Sequence, residues 1–302
     1  MSVASVELKP GKVSLAELRA IRNGASVTLS AAGYKAIDAS AASITRIVAS
    51  GKTVYGVNTG FGLLANTSID KARLAELQRN LVMSHACGLG EKLDARVVRL
   101  VMALKVIGLA RGHSGVRREV VDFLLTLLKK NALPQIPSQG SVGASGDLAP
   151  LAHLSAAMMG EGWIDFYGEP IFAMEALRKL DLKPLELGPK EGLALLNGTQ
   201  VSTAIALDAL FSAENVFTSA LVAGAMSVDA LQGSDAPFDA RIHALRGQPG
   251  QIAVAAFLRQ AMEGSDIRKS HIECDRVQDP YSFRCQPQVM GASLDLLNCA
   301  GR

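Results

Sequence analysis

Excess charge is the first thing this sequence lacks. Its 302 residues carry 31 Lys and Arg against 28 Asp and Glu, a net charge of +3. No local run of basic residues adds to that balance. The chain therefore offers no electrostatic footprint for nucleic acid or an anionic membrane. Cysteine is scarce and scattered, at Cys87, Cys274, Cys285 and Cys299, with no Cys-x-x-Cys pair. Free, mostly buried thiols in a reducing cytoplasm are the expectation. The opening MSVASVELKPGKVSL has no basic region leading into an apolar run, so it does not read as a secretory signal. One long apolar segment, 201–231, is interrupted by Asp208, Glu214 and Asn215. It is expected to be a buried core helix rather than a membrane span.

Common chemical motifs are also missing. The histidines are His85, His113, His153, His243 and His271, and none has a second ligand three or four positions away. There is no HExxH and no acidic calcium loop, so no metal site is expected from local spacing. No GxxxxGK[ST] appears, and no GxGxxG lies between a strand and a helix. His85 and Cys87 stand two apart, a spacing at which helical side chains do not face each other.

What the chain does have is helical periodicity. SLAE at 14–17 is a capping-box pattern. Ser30 can cap a second helix that stops at Gly51. Three more helical patterns cover 70–86, 94–111 and 114–131, and Pro134 and Pro137 close that block. A helix restarts at LAPLAHLSAAMMGEG, and GWIDFYGEPIF reads as a small hairpin. Helices resume over 190–231 and 251–264. Strand signals are confined to SVELKP and 162–172, so a mainly α fold with small β additions is expected. The final QPQVMGASLDLLNCAGR is a helical pattern that stops at Arg302 without a cap. It reads either as a bundle helix cut in mid-course or as a frayed natural end.

Three glycine-marked polar segments interrupt the helices. The first is the loop 52–62 with Tyr55 and Asn58. The second is LLNGTQ, with Asn197 at a break between apolar helices. The third is DRVQDPYSFRCQPQ, holding Gln278, Tyr281, Arg284 and Gln288, with two prolines that oppose plain helix. Each reads either as a satisfied structural loop or as part of a concave site at helix ends.

The most unusual stretch is GSVGASGDLAP at 140–150. It is rich in glycine, and no side chain before Asp147 can act as an acid, base or metal ligand. Here the backbone itself can be the reagent. If the Gly146 nitrogen closes on the Ala144 carbonyl carbon, a five-membered ring forms. Glycine suits the attacking position because a Cβ would crowd that approach. Loss of water from the ring, and of the Ser145 hydroxyl as a second water, leaves an exocyclic methylene on an imidazolone. That product is an electrophile made without an added cofactor. An ordinary glycine-rich turn is the alternative reading of the tripeptide alone.

The whole of GSVGASGDLAPLAHLS resembles the signature of the aromatic amino acid ammonia-lyases, in which Ala-Ser-Gly becomes 4-methylideneimidazole-5-one (MIO). YGVNTGFG, LLNGTQ and QDPYSFRCQPQ resemble three further motifs of that family in the same order, and the likeness runs from about Val6 to the end of the chain. The resemblance implies a long-helix bundle of fumarase/aspartase-like architecture. It implies an N-terminal MIO-bearing domain over 1–200 and the start of a central helical-bundle domain over 201–302. Members of the family continue past this length, and their further part supplies bundle helices with an aromatic and an acidic pocket residue. Their sites are built from three subunits of a cytoplasmic homotetramer.

MSHACG resembles the histidine-specific branch, in which the residue at the place of His85 holds the substrate imidazole. Phenylalanine-specific relatives typically carry an apolar pair there, and tyrosine-specific relatives can also carry a histidine, in different surroundings. The implied reaction is carbon–nitrogen lysis of L-histidine to trans-urocanate and ammonia, with no metal. By similarity, Tyr55 is the base for the β-proton, and its surroundings must activate it. Arg284 pairs with the substrate carboxylate, where a planar fork suits the geometry. Asn197, Gln278 and Tyr281 match polar residues around the MIO and substrate, and Asp147 supports the turn before ring closure. The alternatives are a tyrosine or phenylalanine ammonia-lyase, an aminomutase, or an inert truncated chain.

Overall fold

The computed structural model describes residues 5–60, 69–273 and 275–302. Phe61 and Gly62 of the first polar loop, and the thiol of Cys274, lie outside them. Two units divide the chain, Met1–Asp208 and Ala209–Arg302.

The first unit opens with β1 (Ser5–Leu8) and α1 (Leu15–Arg22). Ser14 and Glu17 cap α1 reciprocally, as the SLAE pattern predicts. β2 (Ser26–Leu29) then pairs parallel with β1, in register from Ser5 opposite Ser26 to Leu8 opposite Leu29. α2 (Ala31–Ser50) is capped by Ser30 and ends at Gly51, whose φ of 70° is the left-handed stop. A 3₁₀ turn at Lys71–Arg73 leads into α3 (Leu74–His85). β3 (Leu89–Lys92) precedes α4 (Ala95–Leu109), which Asp94 caps. The next helix, α5 (Arg118–Lys129), starts four residues later than its pattern predicts. The reason is Gly115, which sits at φ 74° and donates its N–H to Ser40 Oγ at 2.9 Å instead of joining the helix.

β4 (Ala132–Pro134) and β5 (Pro137–Gln139) follow, then α6 (Leu148–Met158). Pro150 falls in the first turn of α6, where a missing N–H costs nothing. β6 (Trp163–Phe166) and β7 (Glu169–Phe172) form the expected antiparallel hairpin, and β4 extends it on the β6 side. β3 pairs with β5. Strands β2 to β5 were absent from the sequence expectation because three or four residues show no usable period. α7 (Ala173–Lys179) and α8 (Glu191–Leu196) complete the unit, and α9 (Gln200–Ala230) begins within it. The core lies between α4 and α5, where Leu100, Val101, Val106, Leu124 and Leu127 are fully buried. The buried guanidinium of Arg99 ties α1 to this core. It donates to the carbonyls of Ile21 at 2.9 Å and Ala25 at 2.7 Å.

The second unit holds most of α9, a 3₁₀ turn at Ala236–Phe238, α10 (Ala240–Arg246) and α11 (Pro249–Ala261). α12 (Asp266–Lys269), α13 (Tyr281–Arg284) and α14 (Gln286–Ala300) complete it. Pro287 does not stop the last helix. It sits in the first turn of α14 and helps to start it. α11 and α14 cross with Gly250 against Gly291, where an added Cβ would meet opposing backbone. Leu221, Val228, Phe238, Val254 and Leu258 form the core of this unit.

Two expectations need correction. α9 is not a buried core helix within this chain. Only 22% of its most apolar stretch is buried, although its length and composition alone would allow it to cross a membrane. Val216, Val222 and Met226 are exposed on it, because the described residues do not surround all its faces. Among the described residues the thiols are free, but they are not mostly buried: Cys87 and Cys299 are exposed and Cys285 is half-buried.

Candidate active site

The 140–150 stretch becomes a loop leading into α6, and its backbone is held from behind. Gly146 adopts φ 87° and forms a parallel bridge with Gly198. A Cβ at 146 would lie 2.4 Å from the Gly198 carbonyl oxygen. Glycine is thus required here by the close approach of the neighbouring backbone. The Asp147 N–H donates to the same carbonyl at 2.8 Å. Ala144 and Ser145 are exposed.

Asn197 ends α8 in an extended conformation. Its Nδ2 donates to the Ser145 carbonyl at 3.2 Å and to Ser145 Oγ at 3.1 Å. The Asp147 carboxylate is buried and fully engaged. It accepts from Ser141 Oγ at 2.9 Å, Ser202 Oγ at 2.5 Å, and the N–H groups of Val201 at 3.0 Å and Ser202 at 2.8 Å. It therefore caps the first turn of α9 from another segment of chain, satisfying donors that the helix leaves open.

α3, α6 and α8 pack against one another in pairs. His85 is the last residue of α3, and its Nδ1 lies 2.8 Å from the Leu81 carbonyl. A carbonyl can only accept, so Nδ1 is the donor, and in the neutral ring the lone pair is then on Nε2. Just beyond, the Gly88 N–H donates to His153 Nε2 on α6 at 3.0 Å, tying the α3 exit to α6. Tyr55 sits exposed in a turn whose Asn58 side chain is buried. Asn58 accepts from the Val54 N–H and donates to the Lys52 carbonyl, closing the loop on itself. Leu193 of α8 fills the space beside Gly56. The first unit therefore joins Ser145, Gly146, Asp147 and Asn197 by direct bonds. His85 ends α3, which packs on α6 and α8, and the turn that carries Tyr55 meets α8 at Leu193 beside Gly56.

Gln278, Tyr281 and Arg284 belong to the second unit. Gln278 and Tyr281 are exposed, and Arg284 is half-buried. Arg284 Nε donates to the Asp279 carbonyl at 2.9 Å, and its guanidinium lies 4.7 Å over the Tyr281 ring. Asp279, which the sequence reading passed over, is buried and accepts from the Ser234 N–H at 2.6 Å.

A second residue missed from sequence is Lys105 of α4. Its side chain is fully buried, and Nζ donates to the Asn197 carbonyl at 2.9 Å. Burial pulls its ammonium down to about 7, with the Asp147 charge opposing the shift. The signal was present. Lys105 stands four residues after Val101 and seven after Val98, on the apolar stripe of its helix.

Helices meeting at a glycine-buttressed Ala-Ser-Gly loop define a mainly α scaffold with a preformed backbone site. Comparisons with known proteins place that scaffold. The aromatic amino acid lyase family model matches residues 13–302, and the chain belongs to that family. It is 57% identical over 302 residues to a histidine ammonia-lyase of Paracidovorax citrulli, covering all of this chain and 59% of that protein. The chain thus spans about three-fifths of the length of this curated relative. The structure of histidine ammonia-lyase from Trypanosoma cruzi superposes with a TM-score of 0.87 at 37% identity, covering 98% of this chain and 55% of that one. Pantoea agglomerans phenylalanine aminomutase gives 0.89 at 29% identity, covering 98% and 61%.

Proposed function

We propose that this chain carries the electrophile-forming part of a histidine ammonia-lyase, converting L-histidine to trans-urocanate and ammonia. The observation that carries the reading is the fixed Ala144-Ser145-Gly146 loop, with Gly146 held on Gly198 and Ser145 held by Asn197. The residues fit the MIO group. The left-handed Gly146 has no room for a Cβ, and an amide donor addresses the Ser145 oxygen that must leave. When formed, that group supplies an electrophile that makes the substrate amine a better leaving group.

The remaining work belongs to side chains. Tyr55 takes the β-proton. His85 Nε2, left as an acceptor by the Nδ1 bond to Leu81, receives an imidazole N–H of the substrate. That polarity supports histidine over phenylalanine, which has no such donor. Arg284 offers its guanidinium edge to the substrate carboxylate, with Gln278 and Tyr281 as polar neighbours. Asp147 holds the turn. The exposed faces of α9 suit assembly as a homotetramer. Free thiols suit a reducing cytoplasm.

Intact mass tests the reading. A closed ring leaves the protein lighter than its translated mass by two water molecules, and a urocanate absorbance assay then reports turnover. A chain at full translated mass overturns the proposal.

A further inference from the structure

Lys105 is a buried amine that the proposed chemistry does not use. Around it, Leu100, Val101, Met102 and Val106 of the same helix are fully buried. A lone ammonium there carries a desolvation cost that apolar side chains would avoid. Its partners are few. Nζ donates to the Asn197 carbonyl at 2.9 Å and approaches Gln200 Oε1 at 3.5 Å. Asp147, the nearby opposite charge, is engaged by four neutral donors and acts on Lys105 through space. The segment 197–202 is therefore clamped from two sides, by Lys105 from within the fold and by Asp147 from the Ala-Ser-Gly side.

We propose that Lys105 is a positioning residue for ring closure: by holding the Asn197 main chain, it directs the Asn197 amide onto Ser145. The inference rests on the reading of residues 144–146 as the source of MIO. In that closure the Gly146 nitrogen bonds to the Ala144 carbonyl carbon. The Ala144 oxygen leaves as water with the protons of the Gly146 and Ser145 nitrogens. The Ser145 Oγ hydroxyl and the Ser145 Cα proton leave as the second water. A donor on Oγ helps that departure, and Asn197 Nδ2 sits 3.1 Å from it. Release of the Asn197 carbonyl would let this amide swing away without touching any reacting atom. Small misplacements of such groups carry large rate penalties.

The test is a time course of intact mass after refolding, read on the folded fraction. Wild type, Lys105→Met, Lys105→Arg, Asn197→Ala and the Lys105→Met/Asn197→Ala double variant are compared. Lys105→Met is expected to slow water loss roughly ten- to a hundredfold. Lys105→Arg, which keeps a charged donor, is expected to recover much of the rate. The double variant is expected to be no slower than Asn197→Ala alone, because both changes remove one interaction. Lys105→Met closing at the wild-type rate, or multiplying the Asn197→Ala effect, overturns the proposal. So does a Lys105→Met chain that fails to fold, which would make Lys105 a fold residue only. If wild type keeps its translated mass, the MIO reading falls first, and this inference with it.

Discussion

At the scale of single residues, the candidate site depends on which atoms are left to accept. His85 is the clearest case. Its Nδ1 bonds to the Leu81 carbonyl, which leaves Nε2 as the acceptor of the neutral ring. His85→Leu should lower kcat/KM for L-histidine about ten- to a hundredfold while leaving ring closure intact. Steady-state assays on histidine and phenylalanine, paired with intact mass, check this; an unchanged preference would remove His85 from the substrate site. Lys105 makes a different prediction. Its amine titrates near 7 when folded and near 10.5 when unfolded. Between those values the unfolded chain binds more protons, so this group makes stability rise with pH from about 7 upward. Urea unfolding at several pH values should show that slope, and Lys105→Met should flatten it.

Elements meet the site through their ends. α8 stops at Asn197, α9 starts at Gln200, and α6 starts at Leu148, so three helix termini share one polar cluster. Asp147 serves this junction by accepting two first-turn N–H groups of α9. Asp147→Ala leaves those donors without their acceptor and should cost about 2–4 kcal/mol. Chemical denaturation checks the figure; a change below about 0.5 kcal/mol would show that water replaces the carboxylate. The α3–α6 tie depends on a neutral His153, because its Nε2 must accept from Gly88. Burial lowers the His153 pKa below its usual 6.5. The unfolded imidazole therefore protonates first as pH falls, and stability from this group is lost below about 6.5. His153→Gln, which keeps an acceptor, should lose that acid sensitivity in urea midpoints measured from pH 7 to 5. A slope that persists would assign it to other groups.

For the whole molecule, the notable quantity is apolar surface. Val216, Val222 and Met226 of α9 are exposed, as are Val289 and Leu296 of α14. Soluble chains rarely leave so much unpartnered, and such faces mark assembly. The 302-residue chain should therefore sediment as an oligomer or aggregate rather than as a monomer. Analytical ultracentrifugation decides it, and a stable monomer at micromolar concentration would count against assembly through these helices.

The amino-acid order alone determined most of the long helices, because capping and periodicity are local: Ser14, Ser30 and Asp94 begin helices where their patterns predict, whereas the short helices α7, α10, α12 and α13 had no pattern long enough to read. It also marked Ala144-Ser145-Gly146, Asn197 and the polar loops as candidates, since glycines and polar residues between apolar helices are legible without coordinates. Strands β2 to β5 were not legible, because such short strands exist only by virtue of their partners. Only the tertiary structure decided that Gly146 rests on Gly198, fifty-two positions away, that Asp147 caps α9, and that Lys105 reaches Asn197. Those contacts join residues far apart in the chain. Their energies come from burial and hydrogen-bond satisfaction, which no local pattern records.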